Sequence, residues 1–338
     1  MPRHSKDDGT THDQHVGLEG QWLIERLAEV ETPAVIQTLL EVHVLKTVWG
    51  QQVQETGEKV VYQAGTTYAG CAQIQTPHDP DARYSKKRVQ EWIGGKVQVT
   101  ETDDEDQPPL ITDIAGTCSS HTDDEALPAI QARLKVRDCL PAQQYADSGY
   151  LSGPNLAHSA DHGIDLIGPV FAVVSKQSKI PDGITTAQFD IDLEQRRAIC
   201  PAGYSAESDF SGQAKVHFRF PDEVCAACAL RPQCCTGKGG RTLCVGTTYP
   251  LLQAARQRQI TETFKTDYHK HRSGVAGCLS SLVRGHGLRA SRYIGHRKRH
   301  LQALFSGTAA NLKRVAHWLA DERPPRYHRP WALSADAR

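Results

Sequence analysis

The chain has no net charge, its 39 Lys and Arg balancing 39 Asp and Glu over 338 residues. It also has no apolar run approaching the roughly 20 residues that cross a bilayer, which excludes a membrane-spanning helix. Its start, Met1 to Gln14, is polar and charged, so no secretory leader is expected there. A cytoplasmic protein with no membrane partner is the expectation. Nothing in the composition is collagenous, low-complexity or wholly disordered, and a chain of this length can bury one large core or two modest ones.

The overall neutrality conceals an asymmetry. Residues 251–338 carry 17 Lys and Arg against 5 Asp and Glu, leaving 22 basic and 34 acidic residues for 1–250. A basic end on an acidic body is the electrostatic footprint of a protein that tracks phosphates with one part and concentrates carboxylates in another. A pair of amphipathic helices with a solvated basic face would carry the same count.

The ten cysteines come without a secretion signal, which argues against a disulfide scaffold. Cys71, Cys118, Cys139 and Cys278 are scattered and read as small apolar residues. The other six lie between Cys200 and Cys244. Cys225-x2-Cys228-x5-Cys234, with Cys200 upstream, offers four thiolates at spacings suited to a structural tetrahedral Zn2+, with Cys235 and Cys244 as spares. Unligated thiols and an iron–sulfur cluster remain open alternatives. The surrounding segment reads as poor in hydrophobic core and in need of a staple.

Residues 1–15 combine charge, Gly and His with little apolar content and are expected to be disordered. Apolar residues then recur at helical spacing from Leu18 to Val30 and from Val35 to Val44, with Pro33 between two short helices. From Val60 the period shortens toward strands, among them Lys96–Thr100 and Leu110–Ile114, joined through the acidic loop Glu101–Pro109. A helix follows over Asp124–Val136, capped by Asp123 or Asp124. A short strand ends at Asp147, a helix covers Gly153–Asp161, and Ile164–Val170 reads as a strand buried on both faces. Residues 171–248 interrupt the pattern, and helices resume at Leu251. In the last helix Leu301, Leu304, Phe305, Leu312, Val315 and Trp318 stand at core spacing.

Four runs carry a resemblance. They are Tyr145-Ala146-Asp147-Ser148-Gly149-Tyr150, the Trp92 to Val97 run, Gly163 to Val170, and Arg272-Ser273-Gly274-Val275-Ala276-Gly277 followed by His286-Gly287-Leu288-Arg289. Taken in their order along the chain, they resemble the DDE transposases of bacterial insertion sequences, over nearly the whole chain. The resemblance implies an α/β, RNase H-like mixed sheet flanked by helices, with a Cys-rich inserted subdomain and a helical, basic C-terminal part. The implied organisation is 1–15 disordered, 16–55 a helical linker remnant, 60–170 the first part of the catalytic core, 171–248 the insertion, 249–320 the helical second part of the core and 321–338 a tail. Relatives of this kind begin with a helical DNA-binding region, so an N-terminally shortened chain is implied, with weak sequence-specific recognition.

What such enzymes do is hydrolyse and rejoin DNA phosphodiesters with two divalent ions about 4 Å apart, held by converging carboxylates. Mg2+ or Mn2+ would be the cofactor. Asp147 matches the second Asp, with Gly149 permitting a tight turn beside it; taken alone, Asp147 is also a turn residue able to cap the helix at Gly153. Asp79, in His78-Asp79-Pro80-Asp81-Ala82-Arg83, fits the first position, with Asp81 in reserve and a solvated turn as the plain alternative. Ala276 occupies the place of the third carboxylate, and alanine ligates nothing. Glu262 and Asp267 lie more than two turns upstream and are not expected to substitute. Arg284, Arg289, Arg292 and Lys298 would meet phosphates, as would Arg297 and Arg299, and Tyr293 would stack on a base or pack. The expectation is a DDE transposase with DNA as partner and an impaired site, self-associating or associating with an intact transposase, or else a non-catalytic DNA- or partner-binding derivative.

Overall fold

A computed structural model describes residues 6–29, 31–56, 59–62, 73–87, 89–208, 215–235 and 237–320. The chain is mixed α/β, with ten α-helices and twelve strands in several small sheets among the described residues. It divides into two compact units, Met1–Thr122 with Val275–Arg338, and Asp123–Gly274.

The first unit opens with α1 (Lys6–Ala28), α2 (Ala34–Gln37) and α3 (Leu40–Gln52). The expected disorder over 1–15 is corrected in part, because the backbone is helical from Lys6; residues 1–5 and the tail 321–338 lie outside the described residues. Extending a helix already nucleated over Leu18–Leu27 adds a hydrogen bond per residue without a new nucleus, so a polar stretch can follow it. α1 closes on α3 through glycines: the Trp49 indole N–H donates to the Gly17 carbonyl at 2.9 Å, and a side chain at Gly20 would meet that ring. The expected second helix breaks between α2 and α3, where Leu39 turns to extended backbone.

A ribbon of β1 (Val53–Thr56) and β2 (Lys59–Tyr62) follows, and 63–72 lie outside the described residues. Then β3 (Arg83–Lys87), β4 (Gln90–Glu101) and β5 (Ile111–Cys118) form an antiparallel meander. Val97 stands opposite Gly116 and Thr100 opposite Asp113, with the register shifting at Glu101, where the acidic loop begins.

The second unit begins with α4 (Asp123–Val136), β6 (Gln143–Tyr145), α5 (Gly153–Asp161) and β7 (Asp165–Ile167), with β6 and β7 parallel. Three strands, a helix, a strand, a helix and a strand thus occur in the expected order. Leu127, Ile130, Leu134, Leu151, Leu166 and Ile167 are buried. The fully buried Gln131 donates to Gln144 Oε1 at 2.9 Å and Ser159 Oγ at 2.8 Å, tying α4, β6 and α5 through a polar core contact.

The same unit continues through β8 (Asp190–Asp192), β9 (Arg197–Ile199), β10 (Ser205–Glu207), β11 (Lys215–Arg219), α6 (Asp222–Ala226), α7 (Arg231–Cys234), β12 (Thr242–Gly246) and α8 (Tyr249–Gln259). This stretch is not poor in core, as its composition suggested. Phe189, Phe218, Phe220, Leu243, Val245 and Tyr249 are buried in one cluster, and each large side chain removed from water contributes about 1.5–3 kcal/mol. Alternation along β11 and β12 supplies the inward residues, Phe218 pairing with Leu243.

α9 (Glu262–Gly285) returns the chain to the first unit, and α10 (His296–Leu319) follows. Of the large apolar residues expected to pack along α10, Leu304 packs against the core and Val315 is half-buried, but Phe305 and Leu312 are 67% and 68% exposed, and Leu301 and Trp318 are exposed as well. The buried stripe is Ala303, Ser306, Gly307 and Ala310. Small residues let the helix approach β5 closely, so that Asn311 accepts the Ile111 N–H at 2.8 Å and donates to its carbonyl at 2.9 Å.

Candidate functional site

Asp147 follows β6 directly. Gly168 brings the end of β7 against the Ala146 carbonyl, where a side chain would collide, and Ala146 N–H donates to Ile167 O at 2.8 Å. The chain then turns through a 3-10 segment, Ser148–Tyr150. Gly149 faces Asp123, whose carboxylate would have to move aside for a Cβ, 2.8 Å from its Oδ2. Asp147 does not cap α5; Ser152 does, accepting the Asn155 N–H at 3.2 Å. The Asp147 carboxylate instead accepts two hydrogen bonds from Arg272, at 2.9 Å from Nε and 2.6 Å from Nη2. That fork raises the Arg272 pKa above its ordinary value, so the guanidinium stays charged at any accessible pH.

One face of α9 meets the end of β6 residue by residue. Tyr145 donates its hydroxyl proton to Asp267 Oδ2 at 2.7 Å and stacks on His271, with ring centroids 4.5 Å apart. Tyr268 donates to the Ala146 carbonyl at 3.2 Å, and Arg272 takes Asp147. Burial, then the Asp267 hydrogen bond, push the Tyr145 hydroxyl up to about 12, keeping it a neutral donor. Asp267 is therefore committed to Tyr145, and Glu262 pairs with Lys265. Ala276 lies one turn beyond Arg272 on the same helix and is exposed.

The first-position candidates belong to the first unit. Asp79 forms an ion pair with Arg299 of α10, and both side chains are largely buried, at 18% and 12% exposure. Asp81 accepts the His296 N–H at 2.8 Å, so its charge sits at the N-terminus of α10, where a helix favours an anion. Asp79 is thus paired and mostly covered, whereas Asp81 is exposed in the turn and keeps the solvated-turn reading alongside its hydrogen bond to α10. Arg299, grouped in sequence with the phosphate-facing cations, is instead the partner of Asp79.

Between α9 and α10 the chain leaves the helix through Gly287 and Gly295, at φ +68° and +89°. Arg284, Arg289, Arg292, Tyr293 and Lys298 are all exposed around this turn. Gln302 pins it, accepting the Arg292 N–H at 2.9 Å and donating to Ala290 O at 2.9 Å. Sequence gave no reason to single out Gln302, because a lone Gln on a helix carries no pattern. Arg272 was visible only as part of a motif, without its partner.

The structure brings Cys200, Cys225, Cys228 and Cys234 to one pocket, with Cys235 beside them. Cys244 lies elsewhere, opposite His217 across β11 and β12. Among the described residues no group of three or more His, Cys, Asp or Glu stands ready to hold a metal ion. The two arginine-held aspartates, Asp79 and Asp147, are consistent with that: each has its charge satisfied by a guanidinium. Taken one at a time, neither carboxylate is open to a divalent ion while its arginine stays in place. No described helix is long and apolar enough to cross a membrane.

Residues 199–316, a third of the chain, match the family model of the transposase DDE domain. This supports the DDE transposase resemblance and a transposase-family protein. No curated protein and no solved structure matches the chain.

Proposed function

We propose that this chain is an RNase H-like transposase derivative that engages DNA through the basic turn between α9 and α10 and is impaired in strand cleavage. The observation that carries the reading is the Asp147–Arg272 fork one helical turn before Ala276. A carboxylate neutralised by guanidinium is a poor ligand for a hard cation, and the next turn offers a methyl group where a third oxygen donor would be needed. Asp79 and Asp147 are the residues that Mg2+ or Mn2+ would use, after displacing both arginines. Arg284, Arg289, Arg292 and Lys298 supply salt-sensitive phosphate contacts, and Tyr293, half exposed, supplies a stacking face.

The test is nicking of supercoiled plasmid in Mg2+ or Mn2+ by the chain, by Ala276→Glu and by Asp147→Ala. Cleavage that rises a hundredfold or so in Ala276→Glu, the order expected for restoring one charge-stabilising group, supports a disabled transposase. A second reading, a DNA- or partner-binding derivative with no latent chemistry, is favoured by the arginine already seated on Asp147. It predicts that Ala276→Glu stays silent while DNA binding persists. Robust cleavage by the unaltered chain, lost in Asp147→Ala, overturns the impaired reading.

A further inference from the structure

The pocket that collects five cysteines, Cys200, Cys225, Cys228, Cys234 and Cys235, also collects two arginines. Cys200 follows β9, Cys225 lies on α6, Cys228 in the turn after it and Cys234 at the end of α7, so the fold closes a gap of 25 residues between the first and second of them. The cavity among them is about 30 Å3, more than the roughly 10–15 Å3 one water needs and enough for a single ion. Arg241 lines it at 8% exposure; its backbone N–H donates to Cys225 Sγ at 3.4 Å and its Nη1 to the Cys234 carbonyl at 3.1 Å. Its Nε is buried with no hydrogen-bond partner, as is Nη1 of Arg231, which lines the same pocket. The described residues give Arg241 no carboxylate. A buried guanidinium without an anion is costly, so the pocket as it stands has positive charge and no counter-charge.

We propose that Cys200, Cys225, Cys228 and Cys234 bind one Zn2+ as thiolates, and that Arg231 and Arg241 are there to neutralise the resulting centre. Four thiols and Zn2+ give a tetrathiolate of net charge −2 and release four protons, and the two guanidiniums bring the local sum to zero. Neutral thiols would leave the buried Arg241 without a counter-charge, whereas Arg231 is half-buried and its Nη2 already donates to the Gly237 and Lys238 carbonyls. The N–H to sulfur bond at Cys225 orients a ligand and stabilises its thiolate form. The four thiols do not stand as a preformed metal-holding group, so zinc binding would have to draw them together. Cys235 donates its thiol to the Gly239 carbonyl at 3.2 Å and is left outside the set, as is Cys244. This inference is independent of the transposase reading, since it concerns neither the carboxylates nor DNA.

The experiment measures metal content of the chain purified without chelator, followed by Co2+ exchange. One zinc per chain, and a Co2+ form with thiolate charge-transfer absorption and tetrahedral visible bands, are expected. Zinc should fall at least tenfold in Cys228→Ser and stay stoichiometric in Cys244→Ser. Because Cys228→Ser could unfold the pocket, the unaltered chain is also alkylated with and without a zinc chelator. Peptides bearing the four named cysteines should be protected until the chelator is added, whereas Cys139 and Cys244 react throughout. Absence of zinc, iron with acid-labile sulfide in its place, or equal alkylation in both conditions would overturn the proposal.

Discussion

Asp79 with Arg299 in the first unit and Asp147 with Arg272 in the second are the same chemical pair in different surroundings. The first is largely buried, at 18% and 12% exposure, and ties the start of the strand meander to α10. The second is half in water, its aspartate 56% exposed, at the end of a strand and on a helix face. Two charges taken out of water depend on each other, so losing one strands the other at several kcal/mol. Charges that keep their hydration gain little from pairing and lose little when parted. Burial, not pair geometry, therefore divides a clamp from a latch. The clamp holds the fold around the first candidate carboxylate, while the latch holds a carboxylate that remains available for exchange.

The sharpest way to break the comparison is to remove one arginine from each pair. Arg299→Ala should lower the unfolding free energy by about 3–5 kcal/mol, because it leaves Asp79 charged and buried; urea unfolding would register this as a lower midpoint. If Asp79→Ala together with Arg299→Ala costs no less than the single change, the pair is not the cause. Lys298→Gln beside it should leave stability alone and reduce the salt dependence of DNA binding by about one unit of slope, which Arg299→Gln should not.

The units also differ in how they should answer to alkali. Burial, aided by the neighbouring Glu101, pushes the Cys278 thiol in the first unit up from 9.0 to about 11. A group whose folded pKa is raised contributes stability that is complete below its unfolded pKa and is lost as pH rises, here between pH 9 and 11. The loss should be on the order of 2 kcal/mol and should disappear in Cys278→Ala. In the second unit the corresponding group is Tyr145, raised to about 12, so its contribution fades between pH 10 and 12 and is removed by Tyr145→Phe. Denaturant midpoints across pH 8–12 for both variants would separate the two. A smaller effect is local to the second unit: Ser152→Ala should cost about 1 kcal/mol by removing the α5 cap, while no cap is lost in Asp147→Ala.

How much of this was legible in sequence follows the reach of each signal. Local patterns carried well: the α4 and α5 spans, the hairpin across the acidic loop and the strand before Asp147 all rest on neighbours within a few residues. α10 misled because periodicity reports an apolar stripe without saying which stripe fits a close contact. Its Leu301, Phe305 and Leu312 stripe is exposed, and the stripe of Ala303, Gly307 and Ala310 is the one small enough to lie on β5. The resemblance offered candidate positions for the DDE motif, without their partners. Asp79 and Arg299 stand 220 residues apart, Asp147 and Arg272 125 apart, and nothing in spacing or composition links them. The cysteine pattern was visible; the arginines beside it were not, because a buried cation looks like any other Arg until its surroundings are known.

The smallest expected effect sharpens the comparison most, because it separates the two pairs by mechanism instead of size. Arg272→Ala should destabilise the chain by less than about 1 kcal/mol at low salt, and raising salt to about 1 M, where the screening length falls to about 3 Å, should erase the difference. The Arg299→Ala deficit should survive the same salt, because ions do not enter a buried pair. Freed of its guanidinium, Asp147 should also become the better cation ligand, so Mn2+ should protect Arg272→Ala against thermal unfolding more than it protects the unaltered chain. Equal protection of both would mean that Arg272 is not what keeps the carboxylate from a metal, and the proposed impairment would then rest on Ala276 alone.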